Sequence, residues 1–126
     1  MDFASDRRSK LRIVVGPDVP IHFRVKGLVY NNIRITNLSA GGCFATLPRT
    51  KNHLFAQGTL LEEFRFEHPD LEGFPFIAEV VYVLGEGSAG AGRGRGGLEL
   101  IGLGIKFHAM AASMAEMLMQ FVEARA

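Results

Sequence analysis

At 126 residues, 48% of them apolar, the chain has the size and hydrophobic content of one domain with its own core, which excludes a disordered chain. A formal net charge of +1 provides no general attraction to DNA or to an anionic membrane. The single cysteine, Cys43, excludes an internal disulfide. With no signal-peptide pattern after Met1 and no run near the roughly 20 apolar residues of a membrane span, the expectation is a cytoplasmic protein without membrane insertion.

Residues 1–12 are polar and charged and read as a flexible arm, in which Arg7, Arg8, Lys10 and Arg12 crowd into six positions. Residues 13–126 then form a single domain. Gly16-Pro17-Asp18 is a turn signal, and the β-branched and aromatic residues after it predict a strand over 19–25. Lys26-Gly27 offers a tight turn into a second strand over 28–38, where Val29, Ile33 and Ile35 share one parity and Arg34 and Thr36 take the other. Ser39-Ala40-Gly41-Gly42 reads as a turn, followed by a short strand over 43–47 and a polar, irregular stretch over 48–58.

A strand is expected over 59–67, with Leu60, Phe64 and Phe66 at even spacing. His68-Pro69-Asp70 breaks it. Residues 74–84 carry the strongest strand signal, from Ile77, Val80, Val81, Tyr82 and Val83. Glycine fills seven of the thirteen positions from Gly85 to Gly97, the composition of a long hairpin loop. The strand pattern returns over 98–108, with Ile101, Leu103, Ile105 and Phe107 on one face. The chain closes on a helix over about 109–125, on which Met110, Met114, Met117 and Phe121 form a stripe at helical spacing. Methionine fills irregular gaps, so the stripe reads as core packing, with a homodimer or target-docking surface as the functional alternative. About six short strands imply an all-β antiparallel barrel or sandwich, and the helix buries its stripe by covering an open end or edge.

Two segments carry candidate binding chemistry. In Arg7-Arg8-Ser9-Lys10-Leu11-Arg12, each guanidinium fork can bond phosphate with two parallel hydrogen bonds or match O6 and N7 of guanine. Read by itself, such a cluster is more often a solvated basic tail. In Asn37-Leu38-Ser39-Ala40-Gly41-Gly42, the Asn and Ser side chains can face a base edge or close an Asx-type turn. Gly42 permits close approach of a ligand. Read by itself, that segment is more often an ordinary β-turn.

In order and at this spacing, Arg8-Ser9-Lys10-Leu11-Arg12 and Asn37-Leu38-Ser39-Ala40-Gly41-Gly42 resemble the RxxxR and [D/N]xSxxG motifs of the PilZ family. Gly104-Ile105-Lys106-Phe107 is similar to the late strand of such domains. The resemblance implies a six-stranded antiparallel β-barrel of split-barrel type with a C-terminal helix, and a non-catalytic receptor for cyclic di-GMP, often bound as an intercalated dimer. Carried over by position, it implies that Arg8 and Arg12 contact phosphates and guanine Hoogsteen edges. Asn37 and Ser39 would meet the other guanine edge, and Gly41 and Gly42 would give the backbone room. Arg7 adds a third guanidinium that would cap a second guanine of the dimer. The implied partner is an unidentified downstream protein of motility, polysaccharide synthesis or another surface behaviour. Two alternatives accompany this reading: a PilZ-like interaction module without nucleotide binding, and a small RNA-binding barrel using Arg93 and Arg95.

Other signals carry less. Gly85-Glu86-Gly87-Ser88-Ala89-Gly90 matches GxGxxG, but the glycines that follow are hostile to the helix a dinucleotide fold needs. His22, His53, His68 and His108 show no metal-ligand spacing. Glu62 and Glu63 alternate faces on a strand and do not pair as acid and base. Neither a catalytic residue nor a cofactor other than the nucleotide ligand is expected.

Overall fold

The computed structural model describes residues 11–48, 55–85 and 100–126. Seven strands are present among them: β1 (Arg12–Val14), β2 (Ile21–Val25), β3 (Leu28–Ser39), β4 (Gly42–Pro48), β5 (Leu60–Phe66), β6 (Phe76–Leu84) and β7 (Leu100–His108). A 3₁₀ turn spans Pro69–Leu71, and helix α1 spans Ala112–Arg125. All strand pairings are antiparallel, in the order β1-β3-β2-β5-β6-β7-β4. A further pairing of β3 with β4 closes six of the strands into a barrel and leaves β1 as an extra strand on β3. The expected six-stranded antiparallel barrel with a C-terminal helix is what the chain forms.

Closure depends on the length of β3. Its first half pairs with β2 from Leu28 to Ile33, and its second half pairs with β4 from Arg34 to Leu38. One strand therefore has β2 along one edge and β4 along the other, and bulges bend the strands of the wall. Asn32 sits at φ 55 where the β2–β3 register shifts, and Glu63 at φ 50 where the registers of β5 with both neighbours shift. An extra residue at each point bends the strand and turns the side chains before it to the other face.

These bulges correct the parity expectations. Val29 does not share the inward face of Ile35: it is 49% exposed, while Ile35 is fully buried. Leu60 is likewise turned out, at 54% exposure, and Leu61 takes the inward place beside Phe64 and Phe66. Glu62 and Glu63 do not alternate; both are exposed, and Glu63 pairs with Arg24 at 3.0 Å.

The barrel interior is rich in aromatic rings. Phe23 stacks on Phe64 at 6.1 Å, and Phe64 meets Phe66, Phe76 and Phe107 between 5.2 and 5.7 Å. Helix α1 packs on the 3₁₀ turn, β3 and β1, and buries Met114, Leu118, Phe121 and Val122. Met110 precedes the helix and Met117 is half-buried; both pack against the core. The stripe thus works mainly as the barrel's cover. The helix begins three residues after the expected start because Ala109 takes a left-handed φ of 49.

Candidate functional site

The site is built where β1, β3, β4 and β7 lie side by side. Arg12 is the partner of Ser39 across β1 and β3, and Val14 is the partner of Asn37. This register puts the Arg12 guanidinium next to the Asn37 carboxamide, and its Nη1 donates to Asn37 Oδ1 at 2.5 Å. The last residue of the expected arm is therefore already in strand β1, paired to the barrel through β3. Arg7 and Arg8 lie outside the described residues.

Strand β3 turns into β4 through Ala40-Gly41, and Ser39 holds that turn. The buried Ser39 Oγ accepts from the Gly41 and Gly42 N–H groups at 3.3 and 3.2 Å, and donates to the Gly42 carbonyl at 3.2 Å. The Phe107 N–H donates to the Gly41 carbonyl at 2.9 Å, tying the turn to β7. The Ser39 hydroxyl is engaged in the turn and shapes the site through the backbone. A Cβ on Gly42 would lie 2.1 Å from the Ile105 carbonyl oxygen, whereas one on Gly41 would meet nothing within 4 Å. Gly42 is therefore required by the approach of β4 to β7, before any ligand is considered.

Beside the turn lies an open cleft of about 390 Å³ lined by Arg12, Ser39, Gly41, Gly42, Cys43, Val81, Tyr82, Gly104, Ile105 and Lys106. Asn37 is not on that lining; it stands behind Arg12 and holds the guanidinium at the rim. Among the described residues, two cationic side chains and no carboxylate line the cleft, so its electrostatics favour an anion. Cys43 faces the core, and burial pushes its thiol pKa far up, an effect that the Arg12 guanidinium partly opposes. It is an inert floor residue, not a nucleophile.

Tyr82 and Lys106 are site residues that the motif reading did not include. Register places them there: Lys106 is the partner of Gly42 across β4 and β7, and Tyr82 is the partner of Gly104 across β6 and β7. The row Asn37–Phe44–Gly104–Tyr82 crosses four adjacent strands on the outer wall. Because positions 42 and 104 carry no side chain, the wall between Arg12 and Tyr82 is low, which makes it a cleft. The signal that could have found both residues was Gly104-Ile105-Lys106 itself, read together with strand pairing. Among the described residues, no three His, Cys, Asp or Glu side chains gather as a metal site. No helix there is long and apolar enough to cross a membrane.

Comparison with known proteins gives the same outline. No curated protein sequence matches the chain. Among solved structures, it is similar to the PilZ domain of YcgR from Escherichia coli, described with c-di-GMP, at 16% identity and TM-score 0.69, covering 90% of this chain and 87% of that one. It is similar to MrkH of K. pneumonia in its c-di-GMP complex at 15% identity and TM-score 0.69, covering 90% of this chain and 48% of that one. It is also similar to PlzA of Borreliella burgdorferi in complex with c-di-GMP at 13% identity and TM-score 0.60, covering 95% of this chain and 53% of that one. The chain thus spans about half the length of MrkH and PlzA. At these identities the likeness concerns the fold. The PilZ domain family model matches residues 6–124, and the chain belongs to the PilZ domain family.

Proposed function

We propose that this chain is a cytoplasmic receptor for cyclic di-GMP, with no catalytic activity of its own, that passes the ligand's presence to a partner protein. The observation that carries the reading is the junction of Arg12, Asn37 and the Ser39–Gly42 turn at one rim of a cleft whose described lining is cationic and holds no carboxylate. Family membership and three structural relatives described with c-di-GMP support it.

In this reading the Arg12 fork bonds a phosphate or a guanine Hoogsteen edge, and Asn37 keeps it aimed. The Ser39 hydroxyl fixes the turn, and Gly41 and Gly42 let the ligand approach the backbone. Arg7 and Arg8 join from the segment before β1, and the ligand draws that segment onto the barrel. A surface that differs between the free and bound states is then available to a partner, and selection of the bound state shifts its population.

A calorimetric titration with cyclic di-GMP tests the proposal. Saturable heat is expected from the wild type, with weaker binding in Arg8→Ala and in Arg12→Ala by about 1–3 kcal/mol each. Two dinucleotides per protomer are expected at saturation, and Arg7→Ala is expected to reduce the count to one. A wild-type chain that gives no heat would refute the receptor and leave a protein-interaction module. Salt-dependent binding to single-stranded RNA that disappears on deleting Arg93 to Gly97 would instead favour the RNA-binding barrel.

A further inference from the structure

The side of the cleft opposite Arg12 is formed by Tyr82, whose ring lies over a glycine of the neighbouring strand, as the Phe44 ring does over Gly102. A Cβ on Gly104 would lie 2.1, 2.3 and 2.5 Å from Cε2, Cζ and Cδ2 of the Tyr82 ring. The ring therefore lies across the bare backbone of Gly104 instead of standing off the sheet. Its neighbour on the other side is Phe44, at 6.2 Å between centroids and 31° between planes. One side of the ring is covered by the strand and one edge faces Phe44, yet Tyr82 remains 47% exposed and lines the cleft.

The plain explanation is that an aromatic ring covers a glycine in a sheet. That explains the contact with Gly104 but not the open face turned to a cleft bordered by Arg12 and Lys106. A flat, rigid aromatic surface beside cationic groups is the recognised means of holding a nucleobase next to its phosphates. Resting on the receptor reading above, we infer that Tyr82 is a stacking platform for a purine base of the ligand.

Geometry also says which base. Asn37 and Tyr82 are separated by three strand intervals, about 14 Å along the wall at the usual interstrand spacing. The base on Tyr82 is therefore not the base whose edge is read beside Arg12 and Asn37. The cleft requires a ligand with two separate bases, a dinucleotide or a stack of them, and a mononucleotide cannot use both ends.

The test uses the full chain and two substitutions. Tyr82→Phe keeps both the cover over Gly104 and the stacking face. Tyr82→Leu keeps an apolar cover and removes the stack. With cyclic di-GMP, Tyr82→Leu is expected to bind about tenfold or more weakly, and Tyr82→Phe within about threefold of wild type. Thermal melting of each free variant shows whether the fold is intact. The chain has two tyrosines and no tryptophan, so tyrosine emission reports on the platform directly. Ligand is expected to quench wild-type emission, and to bind Tyr82→Phe without that quenching.

A folded Tyr82→Leu chain that binds cyclic di-GMP as tightly as wild type overturns the platform and leaves the receptor standing. Quenching that persists in Tyr82→Phe does the same, because Tyr30 is then its source. Absence of binding in the wild type overturns the receptor and the platform together.

Discussion

Gly42 and Ile105 face each other so closely that a single methyl group on Gly42 would stand 2.1 Å from the Ile105 carbonyl oxygen. The obstacle is backbone in a paired strand, which cannot swing aside as a side-chain tip can. Gly42→Ala is therefore expected to act on the fold, with a loss of about 1–3 kcal/mol from forced displacement of β4 against β7. Gly41→Ala next to it meets open space and is expected to stay within about 0.5 kcal/mol of wild type. Urea unfolding of the two variants separates them. Equal midpoints would mean that Gly42 is present for the ligand alone.

Ser39 gives a second separation of structure from binding. Its hydroxyl is buried and satisfies the Gly41 and Gly42 N–H groups, and its own proton goes to the Gly42 carbonyl. Ser39→Ala leaves those groups without their partner inside the turn, which is expected to cost about 1–3 kcal/mol in unfolding free energy. The loss should appear in the ligand-free protein. A Ser39→Ala chain of unchanged stability that binds cyclic di-GMP more weakly would instead place the hydroxyl on the ligand.

The strands were legible because each has enough residues to alternate: the expected spans over 28–38 and 74–84 correspond to β3 at Leu28–Ser39 and β6 at Phe76–Leu84. Strand β1 escaped notice because Arg12-Ile13-Val14 is too short to show a period and follows a charged segment. The bulges escaped for a different reason. Two of them sit at Asn32 and Glu63, residues with positive φ that carry no glycine or proline to announce them, and two more lie between Ile35 and Asn37 and between Val80 and Tyr82. At the site, Arg12, Asn37, Ser39 and Gly42 were legible as a motif. Tyr82 and Lys106 were not, because only strand register brings them beside Gly42 and Gly104.

Cys43 supplies a prediction about pH. Its thiol is 3% exposed, and burial raises its pKa far above the ordinary thiol range. In the unfolded chain the thiol ionises above about pH 8.5, while in the folded chain it stays neutral. The unfolded state thus binds fewer protons there, and folding stability is expected to fall as pH rises, by about 1.4 kcal/mol per unit from this group. Cys43→Ala is expected to flatten that part of the stability profile. Native protein at pH 8 is also expected to react with a thiol reagent only at the rate of its opening. Prompt modification in the folded state would contradict the burial.

The contact between Arg12 and Asn37 makes the nature of residue 37 a question of both ends of one hydrogen bond. In the free protein Asn37 Oδ1 accepts from Arg12, so the guanidinium is held at the rim before any ligand arrives. Asn37→Ala removes that tether and the amide together, and is expected to weaken cyclic di-GMP binding by about 1–3 kcal/mol. Asn37→Asp keeps the acceptor and adds a second oxygen, so one can hold Arg12 while the other meets a guanine N–H. A charge-assisted bond is also roughly twice as strong as a neutral one, which favours the aimed position of Arg12. The carboxylate brings a negative charge near the phosphates, an opposing effect that salt screens. Binding by Asn37→Asp is therefore expected to equal or exceed wild type, with its relative gain larger at high salt than at low salt. Calorimetry at two ionic strengths measures both. If Asn37→Asp binds as poorly as Asn37→Ala at either salt, then residue 37 acts through its amide N–H₂ and the acceptor role argued from the Arg12 contact is wrong.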